Sequence, residues 1–292
     1  MELEAENKTS TQIIPVLGDI KDIDSLENAF RLYSPTVVFH AAAYKHVDIV
    51  ERNTQLAFNT NVKGTNNVLA LCQKYNVKRF TLISTDKAVN PTNFMGATKR
   101  LAELLTSKSA KENPECTYII VRFGNVMGSS GSALLKFVDQ IKNSKSVTLT
   151  HPDMERYFMS IQEASSLVIN ASFVVSKDYD TNLQFFVLDM GTPIKLIHVI
   201  KRIAEYVGKK ISETPTSDSE IKLEITGLRP GEKLYEELTH GESAVSTQMD
   251  KIKLIEHRNV ETWSLEEEFK SVLLTEKDKL DQFLLETEEL AH

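Results

Sequence analysis

"RFTLISTDKAVNPTNFMGATK", residues 79–99, changes character twice within 21 positions. Its first part, 79–85, is an apolar, β-rich run that reads as a buried strand. A polar Thr-Asp-Lys turn follows, and Asn-Pro-Thr-Asn then opens a helical pattern that continues over 92–113. Strand, turn and helix in this order make half of a βαβ unit. Working outward, similar apolar runs lie at 13–20, 36–43 and 117–126, with helical patterns at 24–33 and 54–75 between them. Strands that are apolar almost throughout, separated by helices, predict an α/β fold with a parallel sheet covered on both faces.

Beyond residue 126 the alternation loosens. "GSSGS" (128–132) precedes a helical "ALLKFVDQIKN", a short "SVTLT" strand and a helix from about 161. "LQFFVLDMG" (183–191), a further amphipathic helix, the strand-like "IKLEITG" (221–227) and the turn "LRPGEK" come next. The expected organisation is therefore a sheet-forming part over 1–145, a smaller interleaved region over 146–245, and an acidic tail over 246–292 whose "WSLEEEFKSVLLTEKDKLDQFLLETEEL" reads as a pair of amphipathic helices.

The 292 residues are 41% hydrophobic and 26% charged, enough for a sizeable core. A net charge of −7, with acidic and basic residues spread along the chain, argues against a nucleic-acid surface. Two cysteines, Cys72 and Cys116, imply no disulfide framework and a reducing cytoplasm, and no stretch resembles a signal peptide or a membrane span.

In open parallel sheets, ligands sit beyond the carboxyl ends of the strands. That rule selects "GDI", "AAAYKH", "STDK" and "FGNV". The small residues Ala41, Ala42 and Ala43 fit either the close approach of a flat ligand or simple packing. Thr85, Asp86 and Lys87 stand where all three can face one cleft, and Met95 and Lys99, four apart, share a helix face. The plainer reading of the pair Asp86 and Lys87 is a solvated turn before a surface helix. His40 and His46 lack a carboxylate or thiol to complete a metal set, so core or loop roles are the simpler reading and no metal is expected.

The ordered string "GDIKD…VVFHAAAYKHVDIVE…NVKGT…STDKAVNPTNFMGATK…VRFGNVMGSSGS…HPDMERYFM…TGLRPGEKLYEEL" resembles the extended short-chain dehydrogenase/reductase superfamily. Within it the match is to the CapD-like UDP-N-acetylglucosamine 4,6-dehydratases of polysaccharide biosynthesis. The resemblance implies a Rossmann-like sheet and an NAD- or NADP-dependent reaction: oxidation at C4 of a UDP-N-acetylhexosamine, loss of water across C5 and C6, and return of the hydride to C6. It assigns Asp19 and Ile20 to the adenine, Ala41 to Ala43 to the path of the dinucleotide and Asn61 to support of the site. Asp86 is then the acid for the leaving C6 hydroxyl, Lys87 the base at C5, and Thr85 a hydrogen-bond partner near C4. Lys99 holds the nicotinamide ribose, while Asn125 and Arg229 hold the UDP pyrophosphate.

The chain departs from the superfamily pattern twice. Met95-Gly-Ala-Thr-Lys99 stands where Tyr-x-x-x-Lys is usual, and a thioether has no proton to exchange. One subgroup of these dehydratases resembles this chain in carrying methionine there. Secondly, no Gly-rich phosphate loop precedes Gly18, so 13–20 resembles a third strand met without strands 1 and 2. The expectations are weak or absent NAD binding by this chain alone, and a homo-oligomer or a separate chain completing the sheet. Two other readings stay open. One is an inactive relative that keeps a UDP-sugar pocket or an oligomer surface. The other is a 4-epimerase, against which stands the Asp86–Lys87 pair, needed for elimination and not for epimerisation.

Overall fold

In the computed structural model, residues 11–143, 146–174, 181–239 and 243–256 are described. Helix α1 (Ile23–Tyr33) starts where the Asp22 carboxylate accepts the Ser25 amide and stops at Ser34, which takes the left-handed conformation at φ 43°. Strand β1 (Val37–His40) leads to short helices α2 (Val47–Val50) and α3 (Thr54–Phe58), a π-helical turn (Asn59–Gly64) and α4 (Thr65–Lys74). Strand β2 (Arg79–Ile83), a 3₁₀ turn (Asp86–Ala88) and the long α5 (Phe94–Glu112) come next, and then β3 (Thr117–Arg122). The Asn93 side chain caps α5 by accepting the Gly96 amide.

The second half runs β4 (Asn125–Val126), α6 (Ala133–Asn143), β5 (Ser146–Leu149), β6 (Glu155–Arg156), β7 (Phe158–Met159) and α7 (Ile161–Phe173). It continues with β8 (Leu183–Leu188), β9 (Ile194–Lys195), α8 (Leu196–Tyr206), β10 (Lys210–Ser212) and β11 (Glu220–Ile225). A hairpin of β12 (Ala244–Ser246) and β13 (Ile252–Ile255) closes the described part.

The main sheet has the order β1-β2-β3-β8-β13-β12. Its first four strands are parallel, and the β12–β13 hairpin joins β8 antiparallel. Because successive side chains alternate across a strand, β3 places Tyr118 and Ile120 in a core with Leu69, Phe80 and Leu101, and Ile119 and Val121 in another with Leu167 and Phe186. A three-stranded parallel sheet, β10-β11-β5, forms a separate layer whose core of Ile141, Val147, Ile200 and Ile221 joins it to α6 and α8.

Three expectations need correction. Residues 13–20 form no strand. Val16 is 55% exposed and Leu17 fully exposed, because β1 has a hydrogen-bonded neighbour on one side only among the described residues and the segment makes no ladder with it. The helix expected over 54–75 is interrupted by the π-helical turn. Residues 244–255, cut by the expected tail boundary at 246, form a hairpin whose β13 pairs with β8 and belong to the main sheet, since Ile252 and Leu254 supply apolar side chains to its core. The amphipathic helices expected from Trp263 onward lie outside the described residues.

One buried carboxylate ties the central elements together. Glu103 on α5 is 0% exposed; it accepts from Arg122 Nε and Nη2 at 2.7 Å each, from Arg100 Nη1 at 2.8 Å and from Ser84 Oγ at 2.6 Å. Burial pushes its pKa up, but the two guanidinium groups and the serine hydroxyl outweigh burial and hold it at about 2 against an ordinary 4.5. A carboxyl group with a depressed folded pKa stabilises the fold fully above its unfolded value, and this is lost as the pH falls through the folded value. The shift corresponds to about 3 kcal/mol. Denaturant titrations across pH should therefore show wild-type stability falling between pH 4.5 and 2 by about that amount from this group. Glu103→Gln should lack that acid-dependent component and be less stable at neutral pH by about 3–5 kcal/mol, because two buried guanidinium groups lose their partner.

Candidate active site

The carboxyl ends of β1, β2 and β3 open on one cavity of about 470 Å³. Its walls include Ala41 and Ala43 after β1, Thr85 and Lys87 after β2, Met95 and Lys99 on α5, and Gly124 and Asn125 after β3. The loop after β2 is fixed against β3, because the amides of Ser84 and Asp86 donate to the carbonyls of Val121 and Phe123 at 2.8 and 3.1 Å. Thr85 is extended and caps the 3₁₀ turn that presents Asp86 and Lys87.

Asp86 is 1% exposed and lies behind this wall, outside the cavity lining. Its Oδ1 accepts from Thr85 Oγ1 at 2.8 Å and from Lys87 Nζ at 3.0 Å. Its Oδ2 is buried without a hydrogen-bond partner among the described residues. A Cβ on Gly124 would stand 3.2 Å from that oxygen, so the glycine makes room for it. Lys87 also donates to Asn125 Oδ1 at 3.3 Å.

Glu236, which the sequence reading missed, closes the group: its Oε1 lies 3.4 Å from Lys87 Nζ and 3.5 Å from Arg156 Nε. Burial pulls the Lys87 ammonium down, yet Asp86 first and Glu236 second outweigh it and hold its pKa above the usual lysine value. The signal available in the sequence was "LYEEL" (234–238), shortly after "LRP" (228–230), but nothing in its spacing says which glutamate turns inward.

Lys99 sits differently. It is 8% exposed and donates to the Ile83 carbonyl at 2.7 Å; burial lowers its pKa to about 8, with the Glu103 charge opposing. Met95 is 3% exposed and fills a small apolar cluster with Val50 and Ala57 while forming part of the cavity wall. Asn61 does not line the cavity; its side-chain amide accepts from the Tyr44 amide and donates to the Tyr44 carbonyl and Thr98 Oγ1, clamping the loop after β1 to α5. His40 is a core residue bonded to Thr65, and burial followed by the Lys99 charge takes its pKa to about 3.

Asp19, Ile20, Ala42 and Arg229 are not brought to the cavity wall. Arg229 is about half exposed and pairs with Asp48, a rim residue of the cavity, at 3.4 Å. The side chains present fit the nicotinamide-ribose end of a dinucleotide, with small alanines and a lysine around open space. Asp19 and Ile20, expected at its adenine end, lie outside that space.

The profile of the polysaccharide biosynthesis protein family matches residues 1–257. The chain belongs to that family. It is 42% identical over 227 residues to the capsular polysaccharide biosynthesis protein CapD of Staphylococcus aureus, covering 78% of this chain and 36% of CapD. A UDP-glucose 4-epimerase of Rickettsia rickettsii is 35% identical over 228 residues, covering 77% and 62% of the two chains. The chain thus spans about a third of the length of CapD.

Among solved structures, Pen from Bacillus thuringiensis superposes with a TM-score of 0.72 at 35% identity, covering 87% of this chain and 75% of Pen. The UDP-glucose 4-epimerase of Thermus thermophilus in complex with NAD gives 0.65 at 20% identity, covering 82% and 85%, and shares the fold. This polysaccharide biosynthesis family member is therefore an extended short-chain dehydrogenase/reductase, CapD-like, with a Rossmann-type sheet. Among its described residues, no helix is long and apolar enough to cross a membrane.

Gly96, one residue past the methionine, is a further feature missed in the sequence. A Cβ there would lie 2.3 Å from the Lys87 carbonyl oxygen, so only glycine lets α5 approach the Asp86–Lys87 turn. Gly96→Ala should cost about 1–3 kcal/mol of stability in a urea titration, despite alanine's higher helix propensity, because backbone must move to admit the methyl group.

Proposed function

We propose that this chain carries the acid–base site of a nucleotide-sugar 4,6-dehydratase, turning a UDP-N-acetylhexosamine into its 4-keto-6-deoxy form in glycan synthesis. The observation that carries this reading is the direct hydrogen bond between Lys87 and Asp86 at the wall of the cavity. Elimination of water needs a base at C5 and an acid at the C6 hydroxyl. Asp86 and Glu236 hold Lys87 as the ammonium, which donates to Asp86 Oδ1. Passing one proton along the 3.0 Å contact breaks an N–H bond and makes an O–H bond, leaving a neutral amine and a carboxylic acid together. A single internal transfer thus produces both working forms.

Lys87 reaches the cavity directly, so its amine would take the C5 proton. Asp86 stands outside the cavity lining, and its proton would reach the sugar through Thr85, which lines the cavity and bonds Asp86 through its hydroxyl. A nicotinamide cofactor, when bound, supplies the acceptor and later the donor of the hydride. Lys99, Ala41 and Ala43 would hold its nicotinamide-ribose end. Lys99 is mostly ammonium below its pKa of about 8, ready to donate to ribose hydroxyls. Arg229 and Asn125 would serve the UDP diphosphate, the guanidinium fork suiting phosphate oxygens.

The similarity to 4-epimerases favours a second reading, inversion at C4 without loss of water. Incubation with UDP-N-acetylglucosamine and NAD+, the latter raised to offset weak binding, should yield a product that has lost one water by mass spectrometry. An unchanged mass with inverted C4, read by NMR, would assign the epimerase instead. Asp86→Asn and Lys87→Met should each lower the dehydration rate by roughly 10²–10⁴-fold, the range typical of a lost general acid or base.

A further inference from the structure

Glu236 is used by nothing in the account above, and its position is not accidental. The segment that carries it is strapped to the site from two sides. Thr92 Oγ1 and Asn93 Nδ2 donate to the Gly231 carbonyl at 2.8 and 3.0 Å, and Lys233 Nζ donates to the Val89 carbonyl at 2.9 Å. From β6, Arg156 donates to the carbonyls of Lys233 and Leu234 at 2.8 and 3.1 Å. These bonds deliver to Lys87, outside the cavity lining, a carboxylate whose side chain is 4% exposed.

We propose that Glu236 is a positioning residue of the proton-transfer pair: acting through Lys87, it keeps the ammonium protonated and clamped against Asp86 until that proton passes to Asp86. The proposal rests on the dehydratase reading for its place in turnover. Its physical basis is independent of that reading. Among the described residues, three charged groups act on Lys87: Asp86 from its own turn, Glu236 from the 228–239 segment, and Arg156 from β6, which pairs with Glu236. With Lys87 they form two positive and two negative charges, a balanced quartet.

Removing the Glu236 charge leaves two cations facing one carboxylate, which favours neutral Lys87. The proton on Lys87 would then be lost to solvent and not kept within the pair. Glu236 Oε2 is also buried without a partner among the described residues, a cost that a purely structural salt bridge would be expected to avoid.

Competitive acetylation of Lys87 across pH, read by mass spectrometry on the peptide that contains it, tests the proposal without turnover. Glu236→Gln preserves shape and removes the charge; Lys87 should label about tenfold faster than wild type near pH 8, with its titration midpoint moved to lower pH. Glu236→Asp keeps the charge but draws it back by one methylene, and its labelling should fall between the two. Equal midpoints in all three folded proteins, checked by circular dichroism, would overturn the role of Glu236. If Glu236→Gln does not fold, an aspartate variant that labels as slowly as wild type overturns it equally. Where the wild type forms the 4-keto product, the basic limb of Glu236→Gln should also move to lower pH with KM unchanged. A wild type that binds NAD+, shown by calorimetry, yet forms no product refutes the dehydratase reading and leaves the labelling result to decide on Glu236.

Discussion

The arrangement of the site depends on the Glu103 carboxylate. It belongs to α5, it receives Ser84 at the end of β2, and it is gripped on two edges by Arg122 at the end of β3. One group therefore fixes the height of two strand ends and the helix that crosses them. A buried ion of this kind is costly to desolvate, and it holds only because every approach to it is a charge-assisted hydrogen bond. With these elements locked, the turn at 84–88 has little freedom, and Gly96 can bring α5 close enough to touch its backbone.

Among the described residues, two buried charge clusters differ in character. Around Glu103 each carboxylate oxygen is occupied, and the group stands clear of the cavity. Around Lys87 the charges balance, yet one oxygen of Asp86 and one of Glu236 have no partner among the described residues. A carboxylate with every oxygen hydrogen-bonded is held rigidly. The first cluster is framework, and it makes the second possible by keeping Asp86 and Lys87 in contact where water has little access.

The sequence made the parallel sheet legible because β2, β3 and β8 are nearly continuous apolar runs and their helices start with recognisable caps, such as Asn93. It was legible at the site to the extent that neighbours in sequence are neighbours in space: Thr85, Asp86 and Lys87 share one turn, and Met95 and Lys99 one helix face. What was hidden came from long-range packing. Glu236 arrives from about 150 residues away through bonds to carbonyl oxygens, which carry no side-chain signature. Likewise, "IIPVLGDI" has the composition of a strand, but a strand exists only where a neighbour supplies its ladder, and periodicity cannot say whether one is at hand.

That unpaired segment is nonetheless mechanically connected to the site. Ile20 packs on the core beside α4, the Asn67 amide holds the Ile20 carbonyl at 3.1 Å, and a Cβ on Gly64 would come within 2.5 Å of the Ile20 side chain. Gly64 ends the π-helical turn that contains Asn61, and Asn61 clamps Tyr44 to Thr98, one residue before Lys99. The extra residue of a π turn shifts the helix face locally, which is why Asn61 can reach both the loop after β1 and α5. Each link is a close contact or a directed hydrogen bond between packed groups. The exposed 11–20 stretch is thus joined at Ile20 to the elements that set the position of Lys99, and an ordered neighbour for that stretch would act on the cavity through Ile20 and the π turn.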